Sequence, residues 1–135
     1  METTDYCSYE LSKALKVAGF DEPCYFYYTK EDAPDGHVWL TGSANGSPHN
    51  YNQTREWNPP APRCSAPTLC QAQKWLREKN GIAINIIAHD GGKYDFDIEF
   101  LSNTVERDCP IDRATFRRTY EAALSAGIAA ALELI

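Results

Sequence analysis

The chain has no apolar run near the ~20 residues that a membrane-crossing helix needs. It has no excess of positive charge either. Thirteen Lys and Arg stand against nineteen Asp and Glu, a formal net charge of −6, so binding to a nucleic-acid backbone is not its expected work. Its five cysteines (Cys7, Cys24, Cys64, Cys70 and Cys109) are odd in number and contain no C-x-x-C pair. That pattern points away from a disulfide framework and a zinc knuckle, toward free thiols. The three histidines, His37, His49 and His89, lack the spacing of a metal site. There is no glycine-rich phosphate loop, nucleophile elbow or dinucleotide fingerprint. No cofactor and no metal is implied. The opening Met1-Glu2-Thr3-Thr4-Asp5 is acidic and polar, unlike an export signal. A cytoplasmic protein is expected, and its Asn-x-Ser/Thr triplets then carry no meaning.

What is present is ordinary globular material. With 135 residues, 43% hydrophobic and 24% charged, the chain suits one domain with a core of its own. The stripe Leu11, Ala14, Leu15, Ala18 predicts a helix over 8–18, with Gly19 as its left-handed stop and Phe20 folding back on the last turn. The aromatic run Tyr25 to Tyr28 predicts a strand over 24–30, and His37 to Leu40 its return. Residues 42–67 hold five of the eight prolines, and a long Pro/Gly/Asn-rich loop is expected at about 42–62. A second helix is predicted over 68–80, capped by Ser65 or Thr68, with Leu69, Ala72, Leu76 and Trp75 inward and Gln73, Lys74, Arg77 and Lys79 toward water.

Ile82, Ile84 and Ile86, the turn Asp90-Gly91-Gly92-Lys93, and the alternating Tyr94 to Phe100 predict a hairpin. One of its faces should be buried, and the other, carrying Asp95, Asp97 and Glu99, wet. A short strand is placed near 115–118. The last helix, capped by Thr119, should bury Tyr120, Ala123, Leu124, Gly127, Ile128, Ala131, Leu132 and Ile135. The predicted order is α-β-β-α-β-β-α. The fold class is α+β: a two-layer sandwich with an antiparallel sheet of four to five strands and three helices.

Three blocks, Ala18 to Cys24, Ser65 to Glu78 and Tyr120 to Ile128, resemble a large set of short uncharacterised proteins encoded by phages, prophages and mobile elements of gut Bacteroidales. The resemblance spans most of the chain, with the 42–62 loop as its variable part, and brings no catalytic residues with it.

Each candidate for chemistry has a plainer role beside it. The ladder Asp95, Asp97, Glu99 spaces carboxylates about 6.6 Å apart along one face, where a divalent cation would need further ligands. A solvated strand face accounts for it better. Cys64 and Cys70 flank the second helix start, where thiol pKa values can fall, yet free cysteines are mostly small buried hydrophobes. The aromatic strand could stack bases, but its surroundings are acidic. Arg107, Arg113, Arg117 and Arg118 are expected to pair with the acidic hairpin. The functional expectation is a protein-binding module without catalysis, engaging an unknown protein of phage or host. Trp39, Tyr51 and Trp57 are the candidate contacts, because Trp and Tyr are frequent interface anchors. Pinning of the loop to the core is the competing role for Trp57. The alternatives are a small hydrolase using a loop His or Cys, and an acidic decoy of a DNA-binding surface.

Overall fold

A computed structural model describes residues 5–30, 36–43, 45–53, 63–101 and 116–135. The chain divides into two compact units, Met1–Thr68 and Leu69–Ile135.

The first unit opens with helix α1, Tyr9–Val17. Ser8 caps it, its hydroxyl accepting from Leu11 N–H at 3.2 Å. At the other end Gly19 takes φ +97°, a conformation that disfavours any side chain. Gly19 N–H then donates to Lys16 O and Phe20 N–H to Leu15 O, the paired bonds of a Schellman stop. Leu15 and Phe20, the apolar pair that accompanies this stop, are both buried. Three strands follow: β1, Phe26–Lys30; β2, Val38–Gly42; and β3, Arg63–Ser65. They form one antiparallel sheet in the order β2-β1-β3.

Strand pleating sorts the side chains into two faces. Phe26, Tyr28, Val38, Leu40 and Cys64 share the face toward α1. Tyr28 Oη donates to Cys7 O at 2.6 Å, and its ring meets Tyr9 edge-on. Phe26 lies against Tyr6. Among the described residues of this unit, Cys7, Leu11, Leu15, Phe20, Cys24, Cys64, Ala66 and Pro67 are buried. Tyr27, Thr29, Trp39, Thr41, Arg63 and Ser65 point the other way.

The second unit contains α2, Leu69–Asn80; β4, Ile82–His89; β5, Lys93–Phe100; and α3, Tyr120–Leu132. β4 and β5 pair antiparallel around Asp90-Gly91-Gly92, from His89↔Lys93 to Ile82↔Phe100. Leu101 N–H donates to Gly81 O and closes the hairpin's open end. Both helices pack on the strands, and on each other. Leu69, Ala72, Trp75 and Leu76 of α2, and Ala123, Leu124, Gly127, Ile128 and Ala131 of α3, are buried as their spacing predicts. Thr119 Oγ1 accepts from Ala122 N–H at 3.0 Å and caps α3.

The α+β class, three helices and antiparallel pairing follow the sequence reading. The order contains one further element, β3, and the strands lie in sheets of three and two among the described residues. Ser65 is not a helix cap; it ends β3, and its hydroxyl accepts from Tyr51 N–H. Gln73 does not simply face water, because its Nε2 donates to Ile84 O at 2.8 Å. That carbonyl points away from β5 and needs a partner outside the hairpin.

Asp95 departs from the wet face predicted for it. It is only 8% exposed, and its carboxylate turns back to accept from Phe96 N–H at 2.8 Å. Tyr120 and Ile135 are exposed rather than buried, since one opens α3 and the other lies beyond its end. The expected strand near 115–118 appears as one bridge, Tyr94↔Arg117, and 102–115 lies outside the described residues. No helix among the described residues is long and apolar enough to cross a membrane.

Candidate functional site

Trp39 and Tyr51 are brought to the same face of the first sheet, opposite the face toward α1. Trp39 sits on edge strand β2, paired with Thr29 of β1, and is 45% exposed. Tyr27 lies two residues along β1 on that face, a diagonal neighbour. The Tyr51 ring lies on Tyr27, with centroids 4.3 Å apart and planes tilted by 33°. Arg63 of β3 places its guanidinium 5.0 Å from the Tyr27 centroid. His37 meets Trp39 edge-on at 4.8 Å, and His49 meets Tyr51 at 5.8 Å. Trp57, the third candidate, lies outside the described residues.

The turn carrying Tyr51 is clamped by hydrogen bonds. Tyr51 N–H donates to Ser65 Oγ at 2.9 Å, and Ser65 N–H donates to Asn52 Oδ1 at 2.9 Å. Asn52 Nδ2 reaches Phe20 O at 2.9 Å, and Asn52 N–H donates to Asn50 Oδ1. One step earlier, Asn45 Oδ1 accepts from Ser43 Oγ and Ser47 N–H, and lies 3.2 Å from His49 Nε2. Cys24 and His49 then exchange a pair of backbone bonds. The asparagines and serines that mark 45–53 as loop in the sequence are thus the groups that order it.

Sequence reasoning singled out Trp39 and Tyr51 but missed Tyr27 and Arg63 as their companions. Arg63 carries no signal beyond being a basic residue after a proline-rich stretch.

In comparisons with protein-family models, curated proteins and solved structures, nothing matches this chain.

The other candidates part company. Glu99 is exposed and accepts from Asn85 Nδ2, while Asp97 is half-buried and Asp95 buried. Among the described residues no three His, Cys, Asp or Glu side chains group as ligands for a metal ion. Cys64 stands in β3 rather than at a helix start, and is buried with Cys7 and Cys24. Burial pushes the Cys7 thiol far above its ordinary range, and the neighbouring Cys24 and Cys64 add to the shift. Burial also raises Cys64, against the opposing charges of Lys16 and Lys13. A raised pKa leaves little thiolate, so these two are poor nucleophiles. Cys70, in the first turn of α2, is exposed. Arg117 stacks over Phe96 at 5.7 Å and pairs its backbone with Tyr94. Phe116, 46% exposed, has His89 edge-on at 5.0 Å and the Lys93 ammonium 5.9 Å from its centroid.

Proposed function

We propose that the chain is a binding module without catalytic chemistry, and that the Trp39–Tyr27–Tyr51–Arg63 face is its contact surface. One observation carries this reading. The aromatic residues converge from three parts of the sequence onto a face opposite the core of their unit, and the Tyr51 turn is held there by four hydrogen bonds. Trp, Tyr and Arg dominate the energetics of protein interfaces, because each joins a large contact area to a hydrogen-bonding group. A clamped turn loses little freedom on binding, so its contacts are not spent on ordering it. The described histidines support the same reading. Each stands against an aromatic ring: His37 on Trp39, His49 on Tyr51 and His89 on Phe116.

The partner in this proposal is a protein of phage or host. The setting is that of the short Bacteroidales phage and mobile-element proteins that the sequence resembles, inside the bacterial cell. Affinity capture from a Bacteroidales lysate tests it, comparing Trp39→Ala with Val17→Ala, a change at an 89% exposed position on α1. At least one protein held by wild type and Val17→Ala should fall about tenfold with Trp39→Ala. An identical set of captured proteins from all three would overturn the proposal.

A further inference from the structure

The composition of the aromatic face bears on what it recognises. Tyr27, Thr29, Trp39, Thr41, Arg63 and Ser65 occupy it on the strands, and Tyr51 lies over it. Each of these side chains carries a hydrogen-bonding group, and none is aliphatic. The aliphatic residues of the same strands, Val38 and Leu40, lie on the opposite face. A face of this kind offers flat, electron-rich ring surfaces bordered by donors and acceptors.

Charge narrows the choice. Arg63 is the only formally charged side chain among the described strand residues of this face and the 50–53 turn, in a chain of net charge −6. A polyanion gains its affinity from several neutralised phosphates, and one guanidinium supplies little of that. The ligand that complements the surface is uncharged. It has an apolar C–H face to lie on an aromatic ring and an edge of hydroxyls to meet Thr, Tyr and Arg. A pyranose ring has both.

Size is consistent with more than one ring. Trp39 and Arg63 stand on the two outer strands of the order β2-β1-β3. Two strand spacings separate them, about 10 Å. That span suits two linked sugars, one on Trp39 and the next beside Tyr27, Tyr51 and Arg63.

We propose that this face binds a neutral oligosaccharide, and that the group recognised on the partner is its glycan. The inference rests on the binding-module reading and gives that module its ligand class. Polarised C–H groups of the sugar meet the negative faces of the indole and phenol rings. Hydroxyls exchange their water for Arg63, Thr29 and Thr41, so that no desolvated donor is left unpaired.

The test uses the full chain and a panel of neutral tetrasaccharides: cello-, malto-, xylo-, manno- and N-acetylated chitotetraose. The indole N–H signal of Trp39, assigned by its loss in Trp39→Phe, is followed by NMR during titration. At least one sugar should shift it saturably. Trp39→Leu and Tyr51→Leu, which keep apolar bulk but remove a ring, should each weaken that sugar about tenfold by isothermal titration calorimetry while the melting curve holds. Lys30→Ala, on the opposite face, should leave binding unchanged. Silence of the indole to the whole panel overturns the inference, as does a saturable shift by poly(dT) alone, or undiminished sugar binding by Trp39→Leu. If the sugars are silent but Trp39→Ala still abolishes lysate capture, the glycan inference falls and the binding module stands. If capture is also indifferent to Trp39→Ala, both fall.

Discussion

Gly127 of α3 stands so close to Ile84 of β4 that a Cβ on the glycine would lie 2.6 Å from the isoleucine Cγ2 and 3.3 Å from Cγ of Phe96. The isoleucine is β-branched and stiff at χ1, so it has little room to yield. Gly127→Ala should therefore destabilise by about 1–3 kcal/mol of overpacking, less the ~1 kcal/mol that alanine returns in helix propensity. Urea denaturation would measure the difference. Ile84→Ala removes the obstructing methyl, so it should cost less in the Gly127→Ala background than in wild type. Equal costs would show that the two positions do not press on each other.

Local patterns are the parts of the fold that are legible in the sequence. The small-residue face of α3 and the alternation of β5 are local patterns, and both can be read directly. The Schellman stop at Gly19 is local too. β3 is not legible, because three residues, Arg63–Ser65, carry no periodicity, and prolines 60 and 62 precede them. The burial of Asp95 is not legible either, because alternation assigns a side but not a burial, and this carboxylate sits 8% exposed on the side expected to be wet. At the site, Trp39 and Tyr51 stood out as aromatics at the edge of and within a polar stretch. Their meeting through Tyr27 depends on strand register, and so does the approach of Arg63, thirty-six positions away in sequence. Register is a property of the paired strands, which no single segment displays.

Thr119 opens α3 with a hydroxyl accepting from Ala122 N–H. Thr119→Ala should cost about 1 kcal/mol, whereas Thr119→Ser should be nearly neutral, since serine caps as well as threonine. Thermal melts of the two variants would separate the cap from general helix propensity. Equal losses would mean that the cap contributes nothing.

The thiols should respond to pH with a definite sign. In the unfolded chain Cys7 loses its proton near pH 8.5, the ordinary range for a thiol. In the folded chain burial holds that pKa higher, so between the two values the folded state binds the extra proton. Stability is then fully present below the ordinary thiol range and falls as pH climbs through it, by at most about 1.4 kcal/mol per pH unit for Cys7. Cys64 shifts in the same direction, and so, higher in the range, does Tyr28, through burial and then the neighbouring Cys7 and Cys64. Urea midpoints between about pH 7 and pH 10 should decline, and Cys7→Ala should flatten the decline. Parallel profiles for the two proteins would contradict this account.

The same burial predicts a pattern of alkylation. Cys70 is exposed, whereas Cys7, Cys24 and Cys64 are 0%, 2% and 5% exposed. Under native conditions a maleimide should modify Cys70 and spare those three until the chain unfolds. Peptide mapping by mass spectrometry reads the outcome at each site. Modification of Cys7 as fast as Cys70 would contradict its burial.

Asn52 is the residue on which the shape of the aromatic face most depends. Its Oδ1 accepts from Ser65 N–H while its Nδ2 donates to Phe20 O, tying the turn both to β3 and to the segment after α1. Asn52→Ala removes both partners at once, and Ser65 is fully buried. An unsatisfied buried group costs about 1–3 kcal/mol, so a loss of that order is expected on denaturation. Asn52→Asp separates the two bonds. Its carboxylate can still accept from Ser65 N–H, but it no longer donates to Phe20 O and instead sets negative charge beside that carbonyl. It too should be destabilised, with the Ser65 amide staying better protected from hydrogen exchange than in Asn52→Ala. Because Tyr51 N–H is held by the Ser65 hydroxyl, its exchange should quicken in both variants. If Asn52→Ala matched wild type in stability and in exchange at Ser65 and Tyr51, the clamp would not be what holds the Tyr51 ring on Tyr27.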